Sequence, residues 1–244
     1  MNWLPPNGAL RGFALDHLLG LNLSIVFWIF VAAQVLLVAA LLRRWMMRPG
    51  EAGTEARGTF LFLHVLPLLA ITGLYLWMLV SGHRLWAARN EMVMASPAIQ
   101  VEVTGMQFDW YFRYPGRDGI YGETKANLVS APAGNPLGLD RDDPHAADDV
   151  VSAVLMLPAG QPVSITLRTQ DVIHGFFVPG MRLKQDAIPG MGGHLQFTPE
   201  TPGDYAILCS QVCGLGHYRM QARLRVVSPE QFAAWLAQRE AAAR

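Results

Sequence analysis

The stretch Cys209-Ser210-Gln211-Val212-Cys213-Gly214-Leu215-Gly216-His217-Tyr218-Arg219-Met220 brings two thiols, an imidazole and a thioether into one short segment. Gly214 and Gly216 open backbone angles closed to other residues, so the segment can fold back as a loop. Thiolate and thioether are soft donors that select copper, zinc or iron–sulfur, and imidazole suits copper and zinc. A second imidazole comes from Asp171-Val172-Ile173-His174-Gly175-Phe176-Phe177, a β-like run. Several chemistries compete for these donors. Cys209 and Cys213, the chain's 2 cysteines, are close enough in sequence to form a disulfide. With His174 and His217 they make a Cys₂His₂ set for structural zinc, which has no use for Met220. A blue-copper site takes one cysteine, two histidines and a weak methionine, which leaves one thiol over. Two thiolates bridging two coppers, each copper capped by one histidine, would employ all four strong donors. Met220 and a backbone carbonyl would then be weak outer ligands.

These donors have to be held by the rest of a chain of 244 residues, enough for one or two domains. Its formal charge is +0, which gives no support for nucleic-acid binding. Hydrophobic content is 52%, with the excess in the first third. Residues 1–17, with Pro5, Pro6, Arg11 and Asp16, read as a short exposed leader on the extracytoplasmic side, and no cleavable secretory signal is evident. Residues 18–42 hold no charge and are long enough to cross a hydrocarbon core of about 30 Å. Residues 59–81, which include His64 and Pro67, form a second apolar span, so the pair reads as a transmembrane helical hairpin. Residues 43–58 carry Arg43, Arg44, Arg48 and Arg57 against Glu51 and Glu55, so by the positive-inside rule this loop is cytoplasmic. Trp45, Trp77 and Trp86 fit interfacial anchors. Pro67 is tolerable in a membrane helix whose neighbours satisfy the freed carbonyl. For His64 we favour a hydrogen-bonded histidine facing a partner subunit. His17, His83, His145 and His194 lack ligand-like companions and read as interfacial or surface residues.

From residue 98 to 228 the character changes to short β-rich runs punctuated by glycine and proline. Ile99 to Thr104, Met156 to Pro158, Pro162 to Leu167, Leu195 to Thr198, Tyr205 to Leu208 and Ala222 to Val227 read as strands, a spacing that suits an antiparallel sandwich or barrel. Residues 115–150 read as a long surface excursion, partly ordered at best. Within it Asp140, Asp142, Asp143, Asp148 and Asp149 could attract a basic partner, although a plain solvated loop is favoured. Residues 229–244 begin a last helix, with Ser228 as N-cap, Pro229 at its first position, and Phe232, Trp235 and Leu236 on one face.

The cysteine loop, with Lys184-Gln185-Asp186-Ala187-Ile188-Pro189-Gly190, Pro202-Gly203-Asp204-Tyr205 and the aromatic stretch near Gln107, closely resembles subunit II of cytochrome c oxidase and related haem–copper oxidases. The resemblance implies a membrane-anchored all-β protein: a two-helix hairpin followed by a cupredoxin-like Greek-key sandwich or barrel. It implies a binuclear copper centre, CuA, with Cys209 and Cys213 bridging, His174 and His217 terminal, Met220 a weak thioether and the Gln211 carbonyl the remaining ligand. Many relatives carry glutamate where Gln211 stands, and that carboxylate also binds magnesium. A neutral amide is a poorer ligand for so hard a cation, which argues against magnesium here. The family's exposed electron-accepting tryptophan follows a glutamine, with a second tryptophan two residues on. Here Phe108 replaces the first and Trp110 matches the second, so these two are the candidates for electron input, with ordinary packing favoured for Trp110. Phe60 stands where many relatives place a proton-channel glutamate, so that role is not carried over. Asp186 matches an interface aspartate of the family, with a strand-end turn residue as the equal alternative.

The expected role is therefore the electron-input subunit of a terminal oxidase in a bacterial inner membrane, its C-terminal domain periplasmic. Expected partners are cytochrome c as donor, a haem-bearing subunit I that reduces oxygen, other oxidase subunits and lipid. Phe60, Phe108 and Gln211 mark a divergent branch. The rivals are a CuA-type nitric oxide reductase subunit and, from another class, a membrane-anchored binding module held by zinc or a disulfide. Nitrous oxide reductase would need a large extra domain, and quinol oxidase subunits lack these ligands.

Overall fold

The computed structural model describes residues 4–10, 12–46, 65–91 and 99–243. The chain divides into two compact units, Ala14–Asn90 and a β unit formed by Met1–Phe13 with Glu91–Arg244. Helix α1 is Gly12–Met46 and helix α2 is Leu66–Glu91. Both are long and apolar enough to cross a membrane by length and composition. Large apolar side chains such as Phe27, Trp28, Leu36, Leu69, Ile71 and Leu76 are exposed on them. A helix apolar on its outer surface needs lipid or a partner helix to cover it. Both helices outrun the apolar stretches read from sequence. α1 begins at Gly12, inside the expected leader, and α2 continues past residue 81 to Glu91. Arg, Leu and Ala near the C-terminal end of α2 are good helix formers, so the helix persists after hydropathy falls. Phe60, His64 and residues 47–58 of the expected cytoplasmic loop lie outside the described residues. His17, His83, His145 and His194 are all exposed, as expected.

The β unit is a sandwich of two five-stranded sheets. Its strands are β1 Ile99–Met106, β2 Asp109–Tyr114, β3 Val150–Ser152, β4 Val154–Pro158, β5 Val163–Thr169, β6 His174–Val178, β7 Leu183–Ala187, β8 Gly193–Phe197, β9 Gly203–Cys209 and β10 Gln221–Val227. One sheet runs β3-β2-β1-β5-β8 and the other β4-β10-β9-β6-β7. The expectation of an antiparallel sheet needs one amendment, because β1 pairs with β5, and β4 with β10, in parallel. Long connections lie between the members of each pair, and parallel neighbours require such crossovers. Phe112, Leu155, Ile165, Leu167, Phe176 and Leu224, all at 0% exposure, form the interior between the sheets. Strands β2, β3 and β7 were not read from sequence. β7 (Leu-Lys-Gln-Asp-Ala) and the three-residue β3 are sheet edges, where charge and brevity protect unpaired backbone. β2 breaks alternation because it buries Arg113.

Residues 4–10 are not an exposed leader but a strap on the sandwich. Gly8 N–H donates to the Gly180 carbonyl at 2.8 Å, and the Gly8 carbonyl accepts from Glu200 N–H at 2.7 Å. The excursion of residues 115–150 is well built, contrary to expectation. Arg113 Nε donates to Asp149 Oδ2 at 3.0 Å, and its Nη2 donates to the same carboxylate and to the Gly122 carbonyl. Asp148 Oδ2 accepts from Arg117 N–H at 2.8 Å, and Lys125 pairs with Asp140. Helix α3, Pro229–Ala243, closes this end. A reciprocal cap starts it: Gln231 N–H donates to Ser228 Oγ at 3.3 Å and Ser228 N–H to Gln231 Oε1 at 3.2 Å. Trp235 meets Tyr114 edge-on at 5.2 Å, and Arg117 pairs with the buried Glu240 at 2.6 Å.

Candidate metal centre

The ligands read from sequence converge at one end of the second sheet. β6 begins with His174 and β9 ends with Cys209, and these neighbouring strands pair Phe176 with Cys209, so both donors reach the same edge. The loop that follows is cinched at its neck, where Cys209 N–H donates to the Met220 carbonyl at 3.1 Å. A short 3₁₀ turn, His217–Arg219, returns the chain to β10. Two glycines make the path possible. Gly214 has φ +142, closed in practice to side chains. A Cβ on Gly175 would stand 2.9 Å from the Gln211 backbone nitrogen as well as 2.3 Å from Ser210 Oγ, so glycine lets β6 lie this close to the loop.

The two sulfurs lie 3.9 Å apart, far beyond the S–S bond length of about 2 Å, and both cysteines are free. His174 Nδ1 is 3.9 Å from Cys209 Sγ, and His217 Nδ1 is 3.8 Å from Cys213 Sγ. Met220 Sδ is 3.7 Å from Cys213 Sγ, while the Gln211 carbonyl oxygen is 3.1 Å from Cys209 Sγ. Each sulfur therefore has its own imidazole and its own weak donor. The donor atoms of His174, Cys209 and Cys213 all lie within 4.8 Å of one another, and His217 stands outside that trio, against Cys213. Met220 and Cys213 are buried, and His174 is fully enclosed.

The donor set fits a soft, thiophilic metal. Burial, then the neighbouring Cys209, pushes the Cys213 thiol up to about 11. The pair therefore does not exist as two thiolates at neutral pH until a cation displaces the protons. His174 is already oriented for this. Its Nε2 pairs with Asp171 Oδ1 at 2.8 Å, which leaves Nδ1 facing the sulfur. Burial works to raise Asp171, but hydrogen bonds from Gln107 N–H, His174 and Val172 N–H outweigh it and hold the carboxyl below its ordinary range. The Trp110 ring meets the His174 imidazole edge-on at 5.8 Å.

The other sequence candidates divide. Trp110 is 2% exposed, so an external donor cannot touch it. Phe108 is half-buried at the β1–β2 turn, its ring lying where a Cβ on Gly216 would be, 2.5 Å from Cδ2. Asp186 lies within β7 opposite Gly175 rather than in a turn, 3.8 Å from Lys184 Nζ. The Gln211 side chain belongs to an exposed residue and brings no charge. Asp171 and Gln107 were missed as contributors. For Asp171 the signal was its place three residues before His174, a carboxylate poised to orient an imidazole. Sequence reasoning also missed the rim around the loop: Val212, Leu215 and Tyr218 are 82%, 98% and 85% exposed.

Residues 99–227 match the family model described as cytochrome c oxidase subunit II, periplasmic domain. The chain is 40% identical over 165 residues to the alternative cytochrome c oxidase subunit 2 of Bradyrhizobium diazoefficiens, covering 67% of this chain and 58% of that protein. It is 32% identical over 139 residues to cytochrome c oxidase subunit 2 of Synechocystis, covering 57% of this chain and 32% of that one. Among solved structures, the periplasmic domain of subunit II of cytochrome oxidase from Bradyrhizobium japonicum aligns with a TM-score of 0.45 and 24% identity, over 62% of this chain and 100% of that one. The match thus spans about half or less of these curated relatives' own length. With over half its residues matched by the family model, the chain belongs to the cytochrome c oxidase subunit II family.

Proposed function

We propose that the chain is the electron-input subunit of a terminal respiratory oxidase. In this reading it takes single electrons from a cytochrome c at a binuclear copper centre and delivers them to haem in subunit I, where oxygen is reduced. The observation that carries it is the pair of sulfurs 3.9 Å apart, each with its own histidine. One four-ligand zinc ion would draw all four donors into a single cluster, and His217 stands outside the trio. Residues Cys209, Cys213, His174 and His217 would hold the metals, with Met220 and the Gln211 carbonyl as weak ligands. A bound copper pair would supply one-electron transfer with little change in bond geometry.

The protein's part is to keep that geometry fixed. Asp171 fixes the tautomer and rotation of His174, and Trp110 packs against the ring. The buried Cys213 and Met220 exclude water from one side of the site. Phe108, half-exposed and pressed on Gly216, is the proposed input contact, since it links the surface to the ligand loop through van der Waals contact. The exposed Val212, Leu215 and Tyr218 suit contact with partner subunits. The apolar helices α1 and α2 serve as a two-span anchor in a bacterial inner membrane, with the β unit periplasmic. The strap of residues 4–10 supports that topology, since it belongs to the same unit as the residues that follow α2. Magnesium is not part of the reading, because Gln211 offers an amide. The test is anaerobic reduction of the copper-loaded full chain by reduced cytochrome c, expected to be fast in the native chain and slowed about tenfold or more in Phe108→Ala, as a lost contact worth about 1.4 kcal/mol would do. A native chain that leaves the cytochrome reduced would overturn the proposal.

A further inference from the structure

One residue of the β1–β2 turn, Gln107, hydrogen-bonds to both segments that carry the candidate donors. Gln107 N–H donates to Asp171 Oδ2 at 2.7 Å, and Asp171 Oδ1 holds His174 Nε2 at 2.8 Å. The Gln107 side-chain Nε2 donates to the Cys213 carbonyl. The same amide nitrogen lies 2.9 Å from where a Cβ on Gly214 would stand, so the loop approaches it as closely as glycine permits. Around this residue Gln170 N–H donates to the Gly105 carbonyl at 3.1 Å, and Thr169 Oγ1 donates to the Val172 carbonyl at 2.7 Å, so the Asp171 loop is itself well held. Cys213 and His174 belong to separate segments, and their direct backbone connection is confined to the strand end, where Ser210 N–H donates to the Gly175 carbonyl at 2.9 Å.

We infer that Gln107 is a positioning residue that ties the His174 loop and the Cys213 loop into one rigid unit. It bridges them at a point separate from the strand pairing. The inference rests on the reading of Cys209, Cys213, His174 and His217 as metal ligands, but the linkage itself belongs to the metal-free protein. Two loops joined at two points resist changes in the distance between a buried sulfur and a buried imidazole. A redox centre that must hold still in both oxidation states needs that restraint. The chain supplies it with a neutral amide, which donates to the carbonyl without bringing charge to the metal.

Gln107 is exposed, so replacing it leaves the core intact. Gln107→Leu removes the side-chain donor and keeps the backbone N–H; Gln107→Glu does the same at unchanged size. Hydrogen exchange of the metal-free full chain in detergent reads the linkage directly. Both variants are expected to speed exchange about tenfold in residues 209–220 and also in residues 169–174, the loss of one ordinary hydrogen bond shared across the unit. The thermal midpoint is expected to stay close to that of the native chain. In the copper-loaded chain both variants are expected to release copper to a chelator faster and to broaden the visible absorption bands. Native exchange rates in either segment would overturn the inference, as would acceleration spread over the whole sandwich. Failure of the metal reading shows separately, as a native chain that takes up no copper while the exchange result stands.

Discussion

Two irregular segments of the β unit invert what composition suggests. Residues 115–150 are rich in aspartate, yet much of that charge is used within the fold: Asp140 and Asp149 are buried, the half-buried Asp143 and Asp148 accept backbone N–H groups, and Asp142 is the exposed one of the five in the acidic run. Residues 209–220 turn Val212, Leu215 and Tyr218 outward, with Leu215 98% exposed, while Cys213 and Met220 are buried. The first segment uses charge to build a wall, and the second leaves apolar side chains uncovered. With Asp140 and Asp149 buried, residues 140–149 offer less exposed negative charge than their composition suggests. Buried charge needs a partner, whereas clustered exposed apolar surface is the kind that interfaces use.

This contrast can be broken at several points. Cys213→Ser is expected to have the largest effect, abolishing copper-pair binding while leaving the fold, as absorption spectroscopy and circular dichroism would register. Arg113→Leu comes next. It leaves Asp149 buried without its cation, while Glu102 keeps Arg168 Nε at 2.8 Å, and loss of one partner of a buried pair costs about 3–5 kcal/mol, readable as a lowered denaturation midpoint. Leu215→Ser should do the reverse, with stability changed by less than about 0.5 kcal/mol but association with partner subunits weakened, read by co-purification.

A smaller effect concerns pH. Cys213 is an acid whose folded pKa is raised from 9.0 to about 11, so the folded form binds the proton more tightly than the unfolded form. The metal-free fold should therefore lose stability as pH climbs from about 9 through 11, and be indifferent to this group below that window. A denaturation series across that range checks it, and Cys213→Ser should flatten the slope.

The candidate donor set was legible in the sequence because soft donors are rare and lay within one loop beside one strand. The final helix was legible too, since Ser228 and Pro229 are local signals. What escaped were partnerships between distant residues. Gln107 reaches Asp171 and Cys213, and Arg113 reaches Asp149, only because the sheets bring them together. Glycine, proline and aspartate in residues 115–150 announced turns, but not which groups those turns would satisfy. The strap at residues 4–10 lacked any periodic signal, because a single bridge such as Ala9 with Pro199 needs no pattern.

The central claim is that Cys209 and Cys213 jointly hold two copper ions that share one electron. Metal analysis with electron spin resonance on the purified, copper-loaded full chain tests it most directly. The account predicts two coppers per chain and a hyperfine pattern from one unpaired electron spread over both nuclei. A single zinc, a single-copper pattern, or cysteines joined as a disulfide in the working protein would contradict it.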